Sequence, residues 1–108
     1  MNFNDYQTAA KSTAVYKQPI IYPTLGLTGE AGEVAEKVKK MIRDDDGILT
    51  PERKELLIKE LGDVLWYLAM VSHDIGVDLN TIAITNINKL SKRKEKGMLK
   101  GDGDTREE

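Results

Sequence analysis

The hydrophobic and polar positions of this chain repeat at helical spacing in four stretches, each bounded by residues that begin or end helices. Asn2 or Asn4 can cap a first helix that ends near residues 15–17, and Asp78 can cap a fourth that reaches about Lys96. Runs of β-branched residues bounded by turns are scarce. The pattern therefore predicts an all-α protein, in which four helices with short connections form a bundle.

The second and third helices carry the longest apolar stripes. The second opens near Thr24, after a connector bracketed by Pro19 and Pro23, and ends before the run D-D-D-G. The third opens at residues 50–52, T-P-E, which supply a capping hydroxyl, a proline and an acid, and it ends at about Asp74. The stripes, which we expect to face the core, are Leu27, Ala31, Val34, Val38 and Met41, and then Leu57, Leu61, Val64, Leu68, Val71 and Ile75.

An internal repeat places two pairs of acids at equivalent positions. Residues 27–34, L-T-G-E-A-G-E-V, recur as residues 57–64, L-I-K-E-L-G-D-V. Each copy holds two acids three residues apart, which lie roughly 60° apart on one side of an α-helix. The acids are Glu30 and Glu33 in the first copy and Glu60 and Asp63 in the second. Two such helices packed side by side bring four carboxylates into one small volume.

Four carboxylates beside apolar surroundings repel one another by several kcal/mol at an effective dielectric constant of about 20, unless cations or protons intervene. Mg²⁺ prefers such oxygen ligands, so we expect one or two Mg²⁺ ions at this site, with Mn²⁺ as a possible substitute. A di-iron bundle is the chemical competitor. That class uses Glu-x-x-His motifs, whereas His73 is the only histidine and Met70 stands three residues before it.

Each pair of acids encloses a glycine, Gly32 in the first and Gly62 in the second. A glycine inside a helix costs about 1 kcal/mol relative to alanine. Two glycines at equivalent positions therefore predict a close approach of the two helix backbones there.

Composition narrows the class of protein. The 108 residues predict one domain, and the apolar content of 40% is enough for a small core that gains from association with other subunits. A formal net charge of −2 gives no reason to expect nucleic-acid binding. The lack of cysteine excludes disulfides and thiolate sites and favours a cytoplasmic protein. Without a signal-like start or an apolar run near 20 residues, we expect no membrane association.

The acids and their flanking residues resemble the MazG family of nucleotide pyrophosphohydrolases, within the all-α NTP pyrophosphatases. The matching stretches are Y-P-T-L-G-L-T-G-E-A-G-E-V-A-E at 22–36, K-E-L-G-D-V-L-W-Y at 59–67 and N-K-L-S-K-R at 88–93. The resemblance implies hydrolysis of a nucleoside triphosphate to the monophosphate and pyrophosphate. It also implies that the residues holding Mg²⁺ are Glu30, Glu33, Glu60 and Asp63, one of which, not assigned, helps to activate water.

Two further residues lie on the acidic side of their helices. Lys37 and Tyr67 each follow the second acid of their pair by one turn. Lys37 either contacts a phosphate or forms a surface pair with Glu33. Tyr67 either contacts the nucleotide or packs as an ordinary half-buried residue. Trp66 is offset by about 100° and is predicted to lie in the core or at a subunit interface.

The basic stretch near the end of the chain offers candidate phosphate contacts. In the family, the matching K-L-x-x-R stretch lies near the substrate, which implies this role for Lys89 and Arg93, with Asn86 a further candidate one turn before. Residues 97–108 are rich in glycine and charge and are predicted to form a flexible tail. The pyrophosphohydrolase domain is then expected at 1–96.

The sequence therefore predicts an Mg²⁺-dependent nucleoside triphosphate pyrophosphohydrolase that serves nucleotide-pool housekeeping. Specificity for the base is expected from the first helix, the connector at 16–22 and a second subunit. The resemblance and the apolar surplus imply a homo-oligomer, either a tetramer built as a dimer of dimers or a dimer. Two alternatives remain: a nucleotide-binding regulatory module that does not hydrolyse, and a structural helical oligomerisation domain whose acids make surface pairs.

Overall fold

The computed structural model describes residues 1–97 of the chain. This part of the chain contains four α-helices. They are α1 (Phe3–Lys11), α2 (Ile21–Asp44), α3 (Pro51–Asp74) and α4 (Leu79–Glu95). No strand occurs within the described range, so the all-α prediction is confirmed there. None of the helices combines the length and the apolar content that crossing a membrane requires. The predicted flexible tail lies, apart from Gly97, outside the described residues.

Side-chain caps explain where three of the helices begin. Asn2 forms a reciprocal capping box with Asp5 at the start of α1. The Thr50 hydroxyl accepts a hydrogen bond of 3.1 Å from the Arg53 backbone N–H at the start of α3. Asp78 caps α4 in the same way. These caps satisfy backbone donors that lack partners within the helix, which is why the sequence signals located these starts.

The connector between α1 and α2 differs from its prediction at both ends. α1 ends at Lys11, several residues early, because the hydroxyls of Ser12 and Thr13 donate to carbonyl oxygens of the last turn, at 2.6 and 2.7 Å. α2 begins at Ile21, three residues before the predicted start. Pro23 therefore lies buried inside the first turn, where a helix tolerates proline because no N–H is needed.

Helices α2 and α3 form an antiparallel hairpin of two 24-residue helices. The contacts that establish this register are Asp45 to Arg53 at 3.0 Å, Lys37 to Glu60 at 3.6 Å and the Ile20 N–H to Asp74 at 2.9 Å. Residue numbers rise along one helix as they fall along the other. Gly47, with φ of +75°, occupies the left-handed region in the turn that joins them.

The buried core is small and lies where α1 and α4 pack on the second half of α3. Its members are Ala10, Ala69, Met70 and Leu79. Parts of the predicted core stripes are exposed instead: Leu61 is 54% exposed and Ile75 is 53% exposed. The stripe prediction was therefore wrong for these positions in the single chain, because α4 packs on α1 and α3 and makes no helix contact with α2 within residues 1–97.

Gln7 links α1 to the α3–α4 junction through its buried amide. The amide nitrogen donates to the carbonyl oxygens of Ala69 at 3.2 Å and Val77 at 3.3 Å. The amide oxygen accepts from the backbone N–H of Leu79, at 3.1 Å. One polar side chain therefore satisfies backbone groups that would otherwise be buried without partners.

Replacement of Gln7 by leucine tests this link. Gln7→Leu keeps the side-chain volume but leaves the Leu79 N–H without its partner, so we expect the free energy of unfolding to fall by about 1–3 kcal/mol. Urea unfolding at fixed protein concentration measures the change. Thr8→Val, at the exposed neighbouring position, should stay within about 0.5 kcal/mol of the wild type. Equal stability of the two variants would contradict the assignment.

Candidate functional site

Three carboxylates from α2 and α3 meet at one place. One carboxylate oxygen from each of Glu30, Glu60 and Asp63 lies within 4.8 Å of the other two. Glu30 and Glu60 are half-buried, and Asp63 is exposed. The antiparallel register produces this arrangement, because it sets the acidic segment of α2 against that of α3. We call these three residues the acidic cluster.

The carboxylates of the acidic cluster repel one another. Burial raises the pKa of Glu30, a hydrogen bond with Glu60 raises it further, and the negative charges of Asp63, Glu60 and Glu33 add to the shift. A cation with oxygen ligands would relieve this repulsion, and carboxylates are the ligands that Mg²⁺ and Mn²⁺ accept. The residues of the cluster therefore fit a hard divalent cation.

Glu33, the fourth predicted ligand, stands apart from the acidic cluster. Its side chain is exposed, and it is not among the acids that lie within 4.8 Å of one another. Its charge still acts on Glu30. The structure thus brings three of the four predicted ligands together, and metal binding by any of them stays a prediction.

Lys37 pairs with the acidic cluster across the two helices. Its Nζ lies 3.6 Å from Oε1 of Glu60, and the two side chains are only 19% and 17% exposed. Of the two alternatives for Lys37, the surface pair with Glu33 is not formed, because Lys37 pairs with Glu60 instead, and the phosphate contact stays a prediction. Lys37 therefore places one positive charge beside the three acids of the cluster.

Four aromatic side chains form a closed ring of contacts beside the acidic cluster. Tyr16 stacks on Tyr22, with ring centroids 5.3 Å apart, and meets Trp66 edge-on at 6.2 Å. Trp66 meets Tyr67 edge-on at 5.1 Å, and Tyr67 returns to Tyr22 at 6.3 Å. Trp66 also packs against the core, as predicted. We call this set the aromatic ring cluster.

The aromatic ring cluster lines a cavity of about 510 Å³. The lining residues are Thr13, Val15, Tyr16, Lys17, Gln18, Tyr22, Trp66 and Tyr67. Tyr67 joins this cavity to the acids: burial raises its pKa, as do a hydrogen bond with Tyr22 and the charges of Tyr22, Glu30 and Asp63. An aromatic cavity and a negatively charged cluster are therefore adjacent, with Tyr67 between them.

The outer wall of the cavity is the connector, and Asp74 holds it. The side chain of Asp74 is 5% exposed, and its Oδ2 accepts from the Tyr16 hydroxyl at 2.8 Å and from the Ile20 backbone N–H at 2.9 Å. Burial raises the pKa of Tyr16 to about 12, helped by the hydrogen bond to Asp74 and its charge. Desolvation opposes ionisation of Asp74, but the hydrogen bonds from Ile20, Tyr16 and His73 lower its pKa overall.

Three predicted substrate contacts lie on α4, away from α2. Asn86 lines a separate cavity with Phe3 and Leu65. Lys89 is half-buried, and Arg93 is 1% exposed. Among the described residues, α4 packs on α1 and α3 and makes no helix contact with α2. Their roles as substrate contacts stay predictions.

Sequence reasoning missed several residues at this site. Tyr6 of α1 lies close enough to Asp63 for that charge to raise its pKa, after burial as the main cause. Asp74 and Thr13 anchor the connector, Thr13 by accepting from the Trp66 indole N–H at 2.9 Å. The partners are 53 to 58 residues apart in sequence. Local periodicity contains no signal for such contacts.

The close contact to a glycine of α2 is made by a side chain at Gly26, and not by a helix backbone at the two predicted glycines. A Cβ added at Gly32 or Gly62 would meet no described atom within 4 Å, so the prediction for these positions was wrong. At Gly26 a Cβ would overlap the ring of Tyr67. Gly26 therefore lets the ring of Tyr67 lie close against α2.

Alanine substitutions at two glycines of α2 test this contact. Gly26→Ala should lower the free energy of unfolding by about 1–3 kcal/mol through overpacking, although alanine favours the helix. Gly29→Ala, where a Cβ meets nothing within 4 Å, should raise it by about 0.5–1 kcal/mol. Urea unfolding compares the two variants. Stabilisation of both by the same amount would contradict the predicted clash.

The raised pKa of Glu30 predicts how stability depends on pH and cations. The folded state binds the Glu30 proton more tightly than the unfolded chain, so the free energy of unfolding falls as pH rises through about 4.3 toward the folded pKa. A divalent cation should reverse this loss at pH 7, by about 2.7 kcal/mol at 100 times its dissociation constant. The cation effect should shrink as pH falls toward 4.

Thermal unfolding of two glutamine variants, with and without Mg²⁺, measures this effect. Glu30→Gln removes one charge from the acidic cluster, so it should stabilise the metal-free protein at pH 7 and abolish most of the gain from Mg²⁺. Glu36→Gln is the matched control, because Glu36 lies on the same helix and pairs with Lys39 at 3.0 Å outside the cluster. An equal Mg²⁺ response in both variants would show that the cation binds elsewhere.

Comparison with known proteins bears on the resemblance noted in the sequence. The MazG nucleotide pyrophosphohydrolase domain matches residues 22–98, a range that includes the acidic cluster and Glu33. The Gene 37 protein of Mycobacterium phage L5 is 45% identical over 114 aligned residues, which cover 98% of this chain and 100% of that protein. No solved structure matches the chain. The chain therefore belongs to the MazG nucleotide pyrophosphohydrolase domain family.

Proposed function

We propose that this protein hydrolyses nucleoside triphosphates to the monophosphate and pyrophosphate in the presence of Mg²⁺. The observation that carries the proposal is the adjacency of the acidic cluster and the aromatic cavity, with Tyr67 between them. A nucleotide has a flat aromatic base at one end and a polyanion that travels with divalent cations at the other. The two halves of the site match these two ends.

The acidic cluster serves the phosphate end. Glu30, Glu60 and Asp63 would hold Mg²⁺, and Glu33 is within electrostatic reach to act as a further ligand or to orient water. Bound there, the cation supplies neutralisation of phosphate charge and Lewis acidity. Lys37, paired with Glu60, is placed to exchange that partner for a phosphate oxygen.

The aromatic ring cluster serves the base end. A volume of about 510 Å³ is within the size range of small-molecule sites. Trp66 and Tyr67 offer aromatic surfaces on which a base can stack, a contact that every base can make. Discrimination among bases then falls to the polar groups of the connector, Lys17 and Gln18 among them. Nucleotide-pool housekeeping is the role that such a site would serve.

We further propose a homo-oligomer, either a dimer or a tetramer built as a dimer of dimers. The radius of gyration is 16.7 Å, whereas a compact domain of this length has about 13 Å. The α2–α3 hairpin also exposes large apolar side chains: Leu25 at 70%, Ile42 at 64% and Ile58 at 60%. A second copy packed on the hairpin would cover them.

The direct test is a panel of canonical and modified ribo- and deoxyribonucleoside triphosphates with Mg²⁺, read as release of pyrophosphate and monophosphate. We expect release by the wild type and a loss of at least about 100-fold in kcat/KM for Glu30→Gln, because a metal contributes several kcal/mol to such reactions. Glu36→Gln should retain activity, and Glu33→Gln reports whether the fourth acid takes part.

Two outcomes would favour the alternatives. Mg²⁺-dependent nucleotide binding without pyrophosphate release from any triphosphate would identify a regulatory module. Failure of Mg²⁺ and nucleotide to change the melting temperature would point to a structural oligomerisation domain, because a ligand that binds only the folded state must stabilise it.

A further inference from the structure

Asp74 contributes to the site without lining it. It ends α3, its carboxylate is buried, and it is not part of the wall of the aromatic cavity. The metal-binding and base-stacking roles proposed above do not use it. Burial of a carboxylate costs desolvation energy, which its hydrogen bonds offset. The hydrogen-bond partners of Asp74 indicate its role.

Both close partners of Asp74 belong to the connector, residues 12–20. Its Oδ2 accepts from the Tyr16 hydroxyl at 2.8 Å and from the Ile20 N–H at 2.9 Å. The connector supplies Thr13, Val15, Tyr16, Lys17 and Gln18 to the wall of the cavity. The segment between the two anchored positions therefore lines the cavity in which the proposed function places the nucleoside.

The second anchored position is strained. Ile20 has φ of +68° and ψ of −56°, and the Ile21 N–H donates to the Pro19 carbonyl oxygen at 2.7 Å. This geometry is a γ-turn, which is rare, and its positive φ is unfavourable for a β-branched residue. Such a conformation persists only where surrounding contacts hold it. The hydrogen bond from the Ile20 N–H to Asp74 is such a contact.

We propose that Asp74 is a positioning residue for the nucleoside end of the substrate. By holding Tyr16 and Ile20, it fixes the connector as the outer wall of the aromatic cavity before the nucleotide arrives. A wall that is already ordered avoids the loss of conformational entropy on binding, which strengthens affinity for the nucleoside. Asp74 belongs neither to the acidic cluster nor to the lining of the cavity, so it acts through the connector. The inference rests on the proposed pyrophosphohydrolase function.

Three variants separate this role from general destabilisation. Asp74→Ala removes both hydrogen bonds to the connector. Asp74→Asn keeps an oxygen for Tyr16 and Ile20 and turns its amide N–H toward His73 Nδ1, which lies 3.3 Å from Asp74 Oδ1 and can accept in one neutral tautomer. Tyr16→Phe keeps the aromatic ring and removes only the hydroxyl, so it remains informative if Asp74→Ala does not fold.

The measurements are kcat and KM for the best triphosphate of the panel, and the inhibition constant of inorganic tripolyphosphate, which has phosphates but no base. We expect KM to rise about tenfold or more in Asp74→Ala and about threefold or more in Tyr16→Phe, with kcat within about threefold of the wild type. Asp74→Asn should restore most of the affinity. The tripolyphosphate constant should stay unchanged in all three variants.

The contrary results are distinct from one another. A KM in Tyr16→Phe equal to that of the wild type would overturn the role of Asp74, while leaving the hydrolase function intact. Equal weakening of nucleotide and tripolyphosphate would show structural damage instead of positioning of the nucleoside, and would also overturn it. Absence of pyrophosphate release by the wild type would overturn the proposed function itself, and this inference with it.

Discussion

Electrostatic repulsion within the acidic cluster is the constraint to which the rest of the site responds. Glu30, Glu60 and Asp63 present carboxylate oxygens within 4.8 Å of one another, and burial denies two of them full hydration. The α2–α3 hairpin imposes this proximity through its register, which Asp45 and Arg53 fix at the turn end. The pair between Lys37 and Glu60 relieves part of the charge. A divalent cation with carboxylate ligands would relieve the repulsion further, and this is the basis of the proposed metal site.

Tyr67 links the acidic cluster to the aromatic cavity. It lies against α2 at Gly26, where only glycine leaves room, and its hydroxyl is near enough to Glu30 and Asp63 to be affected by their charges. Its ring faces Tyr22 and Trp66 on the other side. The Tyr67 side chain therefore lies between the acidic cluster and the aromatic cavity. A nucleotide, which combines a polyphosphate with a base, matches this division.

Much of the fold could be predicted from local signals, because helical periodicity and caps are local properties. Pro51 and the hydroxyl of Thr50 located the start of α3, and the repeated acidic frame contains the three acids that the fold brings together. The end of α1 was misplaced because hydroxyl groups after Lys11 compete for helix carbonyls. Contacts between residues far apart in the sequence leave no local pattern from which they could be predicted. The hydrogen bond of Tyr16 to Asp74 spans 58 positions, and the approach at Gly26 depends on a ring from α3.

The apolar stripes show a second limit of local reasoning. Periodicity marks Leu61 as a residue to be buried, yet 54% of it is exposed in the single chain. The apolar stripe predicts which face of a helix is shielded from water, but it does not identify the surface that covers that face. A small core on α3, together with a hairpin that exposes apolar residues, leaves that face available to a second copy.

A crystal structure with Mn²⁺ and a non-hydrolysable nucleoside triphosphate, in which anomalous scattering locates the metal, would show whether the acids and the aromatic rings form one nucleotide site. We expect a Mn²⁺ ion with carboxylate ligands from Glu30, Glu60 and Asp63, and a base among Tyr22, Trp66 and Tyr67. A metal bound away from these three acids, or a base outside the aromatic cavity, would contradict this expectation.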